Sequence, residues 1–483
     1  MKEKVVVIGA GIAGLSLSIN LLKKGYDVTL VEKNSEVGGL CSGYFVDGYY
    51  IDACLHWLMG TNKKSSLYKM WSDVGAFDKD TKIISLPTLG TIEYEGTKVT
   101  FYRNIEKTRK EWTKISPQDK KIIDKFIDSV IDMSSLMGLS QKYKKLKLFD
   151  IIHMLPNSPH IVRCMKLSRE DYSKRFKHPA LQFAIKNCQT GYNNMFFFLD
   201  LYGIFIKGNA DIPSGGAYYM VQRMKKLLQN LGGNLLLNTE VIGLLTRNSR
   251  VFAAKTPNFD IEGDYFVSAI DPNLTLNKLL NNKYKVRKVK SLDRRIKSNP
   301  ISSCYNLYCL VKGDTSKIEV PHGLHIKPIQ IGCSKVDFAL IRPYHFDPEY
   351  FTKDGKNVIS IFVDQNQDDY FYFKSLSDDE YKKKVNDINS KLIEEFTNNY
   401  PQFKDKVKAL SCFSPLELEK RTNSSYGALQ AYSFSKDGAF YHLNGEVKGL
   451  DNFYLCSQWN RAIGGTPTAL LTAFEISKRF KKK

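Results

Sequence analysis

The chain has 483 residues, more than one hydrophobic core usually supports, so two or three domains are expected. Hydrophobic residues make up 43% and charged residues 25%, which excludes bulk disorder and collagen-like or disulfide-stapled architectures. The formal net charge of +21 favours an anionic partner, namely nucleic acid, an anionic membrane surface or an acidic metabolite. A biased genome can equally produce a Lys-rich composition, so both explanations stay open.

The cysteines and the apolar runs indicate the compartment. Nine cysteines, an odd number without a CxxC pair, are typical of reduced cytoplasmic thiols rather than of a disulfide framework or a metal site. No run of eighteen apolar residues occurs, and the charged N-terminus has no signal-peptide pattern. We therefore expect a cytoplasmic protein that is neither exported nor membrane-spanning. A peripheral position on the inner face of the cytoplasmic membrane stays open.

The first residues have the order strand, glycine turn and helix. A β-branched run at residues 5–8 leads into the sequence GAGIAG at residues 9–14, and apolar residues then recur at helical spacing. In such a turn Gly9 permits the tight bend, and Gly11 lets backbone N–H groups approach a pyrophosphate at the helix N-terminus. Gly14 lets the helix pack closely on the strand. The pattern predicts a dinucleotide site.

A second strand, over residues 26–31, ends at an acid. Glu32 follows the glycines by about twenty residues, where a carboxylate can accept hydrogen bonds from a ribose diol. It favours an unphosphorylated adenosine ribose, and therefore FAD or NAD rather than NADP. Strand, turn, helix, second strand and acid together predict a Rossmann-type fold.

A second glycine pair follows Glu32 and resembles the flavin-containing amine oxidase superfamily. In that superfamily the pair wraps the pyrophosphate and ribityl chain of FAD, because two glycines let backbone amides approach phosphate oxygens closely. The resemblance implies FAD as the cofactor. It implies these cofactor-binding residues in the first part of the chain: Gly9, Gly11, Ile12, Ala13, Gly14, Glu32, Lys33, Gly38, Gly39 and Leu40.

Residues 48–60 narrow the resemblance to the branch of phytoene desaturase, carotenoid cis–trans isomerase and retinol saturase. In that branch the segment passes beside the isoalloxazine ring, which implies that Cys54, Leu55, His56 and Trp57 lie near the flavin. His56 is the candidate catalytic residue. The alternatives are a histidine satisfied within the core and a tryptophan that only packs.

Two later blocks resemble the same branch. Residues 213–216 precede an amphipathic helix like the one that covers the substrate cavity. A strand over residues 234–237 and 239–241 follows, and its end meets the adenine in relatives. Residues 265–272 resemble the strand that leads back to the cofactor domain. A strand over 449–459 precedes a glycine pair and a helix over 468–480, whose dipole would stabilise negative charge on reduced flavin. These blocks add further cofactor-binding residues: Val241, Gln458, Trp459, Gly464, Gly465 and Thr466.

The sequence also departs from amine oxidases. The C-terminal glycine motif lacks the cysteine that tethers flavin in those enzymes, so noncovalent FAD binding is expected. Their aromatic cage is not evident either, and residues 422–428 resemble the desaturase type.

The blocks predict an α/β protein with a Rossmann-type, GR2-like FAD-binding domain and an interleaved α+β substrate domain. The FAD-binding domain comprises residues 1–60, 205–290 and 410–483, and the substrate domain comprises residues 61–204 and 291–409. A helix over 116–137 with one apolar side, followed by lysines, could dock the substrate domain on an anionic membrane. No nucleic-acid-binding motif accompanies the basic segments, so no nucleic-acid partner is expected.

The resemblance implies a phytoene desaturase-like, FAD-dependent oxidoreductase acting on carbon–carbon bonds of a lipophilic, polyene- or isoprenoid-like substrate by hydride transfer. Desaturation, saturation and cis–trans isomerisation stay open. The aromatic runs at residues 195–198 and 370–373 are expected to be mainly core, with some rings lining the substrate cavity. One alternative is a flavin amine oxidase that uses oxygen, and another is a non-catalytic flavin- or lipid-binding protein on a membrane surface.

Overall fold

A computed structural model describes residues 2–142, 152–189, 193–294, 300–432 and 441–482. In chain order its strands are β1 (Lys4–Ile8), β2 (Asp27–Val31), β3 (Gly43–Val46), β4 (Tyr49–Asp52), β5 (Leu58–Met59), β6 (Ile83–Ile84), β7 (Thr88–Tyr94), β8 (Thr97–Tyr102), β9 (Ala210–Pro213), β10 (Asn234–Leu236), β11 (Gly243–Arg247), β12 (Arg250–Lys255), β13 (Asp260–Glu262), β14 (Tyr265–Ser268), β15 (Ser303–Lys312), β16 (His322–Ile331), β17 (Ser334–Pro343), β18 (Thr352–Lys353), β19 (Lys356–Gln365), β20 (Val407–Phe413) and β21 (Phe453–Leu455).

The α-helices are α1 (Ile12–Leu22), α2 (Ser66–Asp73), α3 (Ile105–Ile115), α4 (Lys120–Lys142), α5 (Ser158–Cys164), α6 (Arg169–Ser173), α7 (Pro179–Asn187), α8 (Met195–Ile206), α9 (Gly216–Asn230), α10 (Pro272–Leu274), α11 (Arg287–Arg294), α12 (Pro348–Phe351), α13 (Gln367–Ser375), α14 (Asp378–Asn399), α15 (Pro415–Thr422) and α16 (Thr466–Ser477). Among these described helices, none is long and apolar enough to cross a bilayer.

A parallel sheet in the order β10-β2-β1-β14-β21 forms the Rossmann-type part of the fold. Val5 and Val7 of β1 enter one hydrophobic core, whereas Val6 and Ile8 enter the core on the opposite face. Alternate residues are all apolar because a parallel sheet covered on both sides is buried on both faces. The predicted α/β, Rossmann-type fold is confirmed. The residue boundaries of the two domains stay a prediction.

Three predicted elements have different bounds in the structure. The C-terminal helix begins at Thr466, two residues before the predicted start at residue 468. Pro467 fits the first turn of a helix, because its missing N–H is not needed there. Within the predicted strand over 449–459, only the three residues of β21, Phe453–Leu455, form a strand. Residues 239–241 are not a strand, since the chain bends there and the Thr239 N–H donates to the carbonyl oxygen of Glu32 at 2.9 Å.

A second, mixed sheet has the order β20-β15-β19-β17-β16-β7-β8, with β18 paired to β19. Its pairs are antiparallel apart from β16 and β7. Phe362 of β19 faces a helical core that includes α4 and α8, and the adjacent Ile361 faces the core beneath α14. The sheet therefore separates two hydrophobic cores.

The predicted helix over 116–137 is a short 3-10 turn, Pro117–Asp119, followed by α4. Its apolar residues Ile123, Phe126 and Val130 are fully buried in the helical core. This apolar face is therefore occupied by the protein itself and is not free to lie on a membrane. The lysine-rich part that follows, residues 143–151, lies outside the described residues.

Trp112 anchors the helical core, and its removal is expected to be costly. The indole is fully buried, stacks on Phe126 at 5.4 Å between ring centroids and donates from Nε1 to the Thr100 carbonyl oxygen at 3.0 Å. We expect Trp112→Ala to lower the free energy of unfolding by about 3–5 kcal/mol in urea titration. The control Phe371→Ala removes a ring that is 53% exposed and should cost less than about 0.5 kcal/mol. Equal losses in the two variants would contradict this assignment.

Candidate functional site

A large cavity opens at the carboxyl ends of the parallel strands, where α/β folds bind ligands. Ile8 at the end of β1, Glu32 after β2, Ala269 after β14 and Ser457 after β21 all line it. Its volume is about 510 Å³, within the range of ligand-binding cavities. The cavity extends from these strand ends to Phe362 on the second sheet and Leu201 on α8.

The structure brings nearly every predicted cofactor-binding residue to this cavity. Gly14 does not line it. A Cβ atom added at Gly14 would lie 1.9 Å from the carbonyl oxygen of Gly9, so this glycine serves the close packing of α1 on β1. The predicted residues that line the cavity are Gly9, Gly11, Ile12, Ala13, Glu32, Lys33, Gly38, Gly39, Leu40, His56, Trp57, Val241, Gln458, Trp459, Gly464, Gly465 and Thr466.

The glycines of the first turn and of the pair after Glu32 serve two different purposes. Gly9 and Gly38 have φ angles of +98° and +117°, so the backbone itself requires glycine at both positions. Gly11 has an ordinary φ of −72°, and the nearest atom to an added Cβ would be the Gly38 carbonyl oxygen at 3.8 Å. The protein alone does not require glycine at position 11. The free space in front of its backbone fits a phosphate group that approaches the N-terminus of α1.

Glu32 is held rigidly at the end of β2. One carboxylate oxygen accepts the Ala10 N–H at 2.9 Å, and the other accepts the Asn34 backbone and side-chain N–H groups at 3.0 and 2.8 Å. The neighbouring Lys33 ammonium donates to the Asn423 side-chain oxygen at 2.8 Å. Carboxylate oxygens can accept further hydrogen bonds, so Glu32 keeps acceptor capacity toward hydroxyl groups of a ligand.

The C-terminal glycine pair forms another part of the cavity wall. Gly464 and Gly465 have φ angles of +73° and +86°, and the Gly465 N–H donates to the Gln458 side-chain oxygen at 2.8 Å. This contact fixes the turn from which α16 starts at Thr466. The first turn of α16 lines the cavity and presents the positive end of the helix dipole there.

The segment that carries His56 is fixed by a buried acid. Asp52, at the end of β4, accepts N–H groups from Cys54, Leu55 and Ala217 at 2.9, 2.8 and 2.9 Å. Burial raises the pKa of Asp52 to about 6, although these hydrogen bonds oppose the shift. Since Ala217 lies in the first turn of α9, this one carboxylate joins the His56 segment to that helix.

Replacing Asp52 is therefore expected to loosen the wall of the cavity. Asp52→Ala removes the acceptor of two buried N–H groups and one part-buried N–H group and should lower the free energy of unfolding by about 3 kcal/mol in urea titration. The control Asp47→Asn, in the same hairpin, removes an exposed charge paired with Lys408 at a positive φ that asparagine also tolerates, and it should cost less than about 1 kcal/mol. A loss at Asp52 no larger than the loss at Asp47 would contradict the joining role.

His56 lies on the cavity wall in its uncharged form. Burial and the positive charge of Arg342 lower its pKa to about 3, so the ring is neutral near pH 7. The His56 carbonyl oxygen accepts a hydrogen bond from Arg342 at 2.9 Å. His56 therefore cannot act as a cationic acid at neutral pH.

Sequence reasoning missed Asp200 and Arg342. Asp200 lines the cavity from α8, and burial raises the pKa of its carboxyl to about 6. It is the single charged residue in the apolar sequence of α8, which is a signal that could have identified it. Arg342 is 2% exposed on β17, and its contact with His56 spans 286 positions, so only the fold reveals its role.

The structure also places the residues of the two predicted aromatic runs. Phe197 lines the cavity, whereas Phe196 and Phe198 lie in the helical core. Of the second run, Tyr370 and Phe373 are buried and none of its residues lines this cavity. Among the residues that the structure describes, no cluster of three or more metal-ligating side chains occurs.

Comparison with known proteins agrees with this geometry. Residues 12–479 match the family described as flavin containing amine oxidoreductase. Over 301 residues the chain is 27% identical to a phytoene desaturase (neurosporene-forming) of Rhodobacter capsulatus, an alignment covering 58% of this chain and 55% of that protein. It is 23% identical to a 1-hydroxycarotenoid 3,4-desaturase of a Flavobacterium species over 98% of this chain and 97% of that protein.

A solved structure gives the same fold. A putrescine oxidase bound to putrescine has a TM-score of 0.60 and 13% identity, with 99% of both chains covered. The carotenoid desaturases among the relatives confirm the predicted resemblance to the phytoene desaturase branch. Because the family match spans nearly the whole length, the chain belongs to the flavin containing amine oxidoreductase family and is a flavin oxidoreductase of that superfamily.

Proposed function

We propose that the protein is an FAD-dependent oxidoreductase that acts on carbon–carbon bonds of a lipophilic, polyene-like molecule. The observation that carries the proposal is one continuous cavity with a dinucleotide cradle at one end and apolar walls at the other. Away from the cradle the lining is mainly apolar, with Trp57, Phe197, Leu201, Phe362 and Leu429, and it also includes the polar residues Gln189, Asp200 and Asp364. The apolar side chains suit contact with an extended hydrocarbon.

The residues around the cradle fit FAD. The pyrophosphate would lie against the backbone of Gly11 and the N-terminus of α1, and the adenosine ribose would bond to Glu32. Val241 lines the cavity beyond Glu32 and would meet the adenine. Gln458, Gly464 and Gly465 would contact the flavin end. We propose noncovalent binding, because the C-terminal motif has no cysteine.

The chain itself would orient the substrate, exclude water from the cavity and supply a proton acceptor. Bound FAD supplies two-electron hydride chemistry. Phe197, Leu201 and Phe362 would hold the hydrocarbon and exclude water from it. The carboxylate of Asp200 is the group placed to accept the proton that leaves the substrate, while neutral His56 shapes the wall. The N-terminus of α16 would stabilise negative charge at its end of the cavity.

The substrate class leads to a proposal about location. A water-insoluble polyene must be collected from a bilayer, and the net charge of +21 would draw the protein to an anionic surface. We therefore propose peripheral binding to the inner face of the cytoplasmic membrane. Co-sedimentation with anionic vesicles but not with neutral ones is the expected result, and equal sedimentation with both would contradict it.

The reaction can be tested with the FAD-loaded protein under anaerobic conditions. Phytoene or a more unsaturated carotene is supplied in vesicles while the flavin absorbance and the carotene spectrum are recorded together. We expect the two spectra to change in step, with products that differ in double-bond number or geometry. Peroxide release with a panel of amines in air, and no change with any polyene, would instead establish amine oxidation.

A further inference from the structure

Two cysteines flank the β3–β4 hairpin at the end away from its turn. Cys41 lies two residues before β3, and Cys54 lies two residues after β4. Within the hairpin Gly43 pairs with Asp52, and the next contact outward is a 3.0 Å hydrogen bond from the Ala53 N–H to the Ser42 carbonyl oxygen.

Cys41 and Cys54 are the next residues on either side of that contact, and at both of them the chain bends away from the paired strands. The two side chains lie close enough for their thiols to share a hydrogen bond. A disulfide between two chain segments requires this kind of proximity.

The two thiols differ in accessibility. Both residues line the cavity, where Cys41 is 3% exposed and Cys54 is half-buried. A hydrogen bond between the two thiols, together with burial, raises the pKa of Cys41 well above its usual value. The backbone of Cys54 is fixed by the Asp52 carboxylate. Cys54 is thus the thiol that a reagent in the cavity meets first, and Cys41 is its buried neighbour.

We propose that Cys41 and Cys54 are a redox-active dithiol, which a small disulfide entering the cavity converts to an intramolecular disulfide. The Cys54 thiolate attacks one sulfur of the small molecule, whose S–S bond breaks and releases one thiol, leaving a mixed disulfide on Cys54. The Cys41 thiol then loses its proton and attacks the Cys54 sulfur, releasing the second thiol. Two protein thiols lose two electrons, and the small disulfide gains two electrons and two protons.

The state of Cys54 controls the second step. In the mixed disulfide Cys54 carries no proton or negative charge, so Cys54 no longer raises the pKa of Cys41, whereas burial and the Asp52 charge still do. Cys41 can then ionise more readily than in the dithiol and displace the small thiol. This inference concerns the protein's own thiols and does not depend on the proposed substrate.

The test uses the native protein and bis(2-hydroxyethyl) disulfide as the probe. After reaction, free thiols are alkylated and the protein is cut before aspartate, which separates Cys41 and Cys54 on peptides 27–46 and 52–72. We expect mass spectrometry to find these two peptides joined by a disulfide that dithiothreitol removes. Recovery of both peptides in alkylated form, or of the probe retained on Cys54, would overturn the proposal.

Two variants assign the roles. In Cys41→Ser the probe should remain on Cys54 as a mixed disulfide, because the second attack is removed. The control Cys412→Ser changes a cysteine that does not line the cavity, and it should leave the joined peptides unchanged. Linkage of Cys54 to any cysteine other than Cys41 in the wild-type protein would also overturn the assignment.

Discussion

A Gly11→Val variant is expected to lose FAD and to keep its fold. The φ of −72° and ψ of −178° at Gly11 suit a β-branched residue, and an added Cβ would be 3.8 Å from its nearest protein neighbour. The valine side chain would instead occupy the space in which we place the pyrophosphate. Loss of those backbone contacts should weaken FAD binding by about 3 kcal/mol, or roughly 100-fold.

The measurement for Gly11→Val is titration of flavin-free protein with FAD, followed by fluorescence, with the urea midpoint as a check on folding. A matched control is Gly243→Val, since an added Cβ at Gly243 is also 3.8 Å from its nearest neighbour, Lys255, and Gly243 does not line the cavity. The control should bind FAD as the wild type does. Wild-type affinity in Gly11→Val would show that the glycine turn has been assigned wrongly.

Asp200→Asn is expected to lower turnover of the polyene by about 100-fold while leaving FAD bound, because it removes the proposed proton acceptor. Only the carboxylate form accepts a proton, so wild-type activity should rise with pH through the Asp200 pKa of about 6 and then level off. The variant should lack this rise. Asp387→Asn, on the surface of α14, is the control and should keep wild-type turnover.

Stability gives a second measurement of Asp200 that needs no substrate. Its folded pKa of about 6 lies above the ordinary value of 3.8, so folding is favoured by the protonated form. The wild-type protein should therefore lose stability relative to Asp200→Asn as pH rises from about 4 through 6, by at most about 3 kcal/mol. A difference that does not change with pH would contradict a buried ionisable carboxyl.

The cofactor cradle could be predicted from sequence because its signals are local. The turn at residues 9–14, the acid at Glu32 and the glycine pair at Gly38 lie within about 30 residues, and each residue type has a specific backbone or hydrogen-bonding task there. The distant Gly464 and Gly465 became recognisable only through family resemblance. In the structure both glycines lie on the cavity wall.

The rest of the site depended on contacts that sequence spacing does not reveal. Arg342 donates to the His56 carbonyl oxygen across 286 positions, and burial, together with the Arg342 charge, lowers the pKa of the His56 ring. The predicted docking helix, α4, had the right amphipathic pattern for a membrane surface. The same pattern also suits a helix packed on other helices, and the core around Trp112 and Phe126 uses it in that way.

The central claim is that this cavity binds FAD noncovalently beside an apolar substrate. The most direct measurement is mass spectrometry of the small molecules released when the purified native protein is denatured. We expect FAD in the supernatant at about one molecule per chain, accompanied by a polyene or isoprenoid, with no flavin left on the polypeptide. Release of NAD in place of FAD, or flavin that stays attached to the denatured chain, would contradict it.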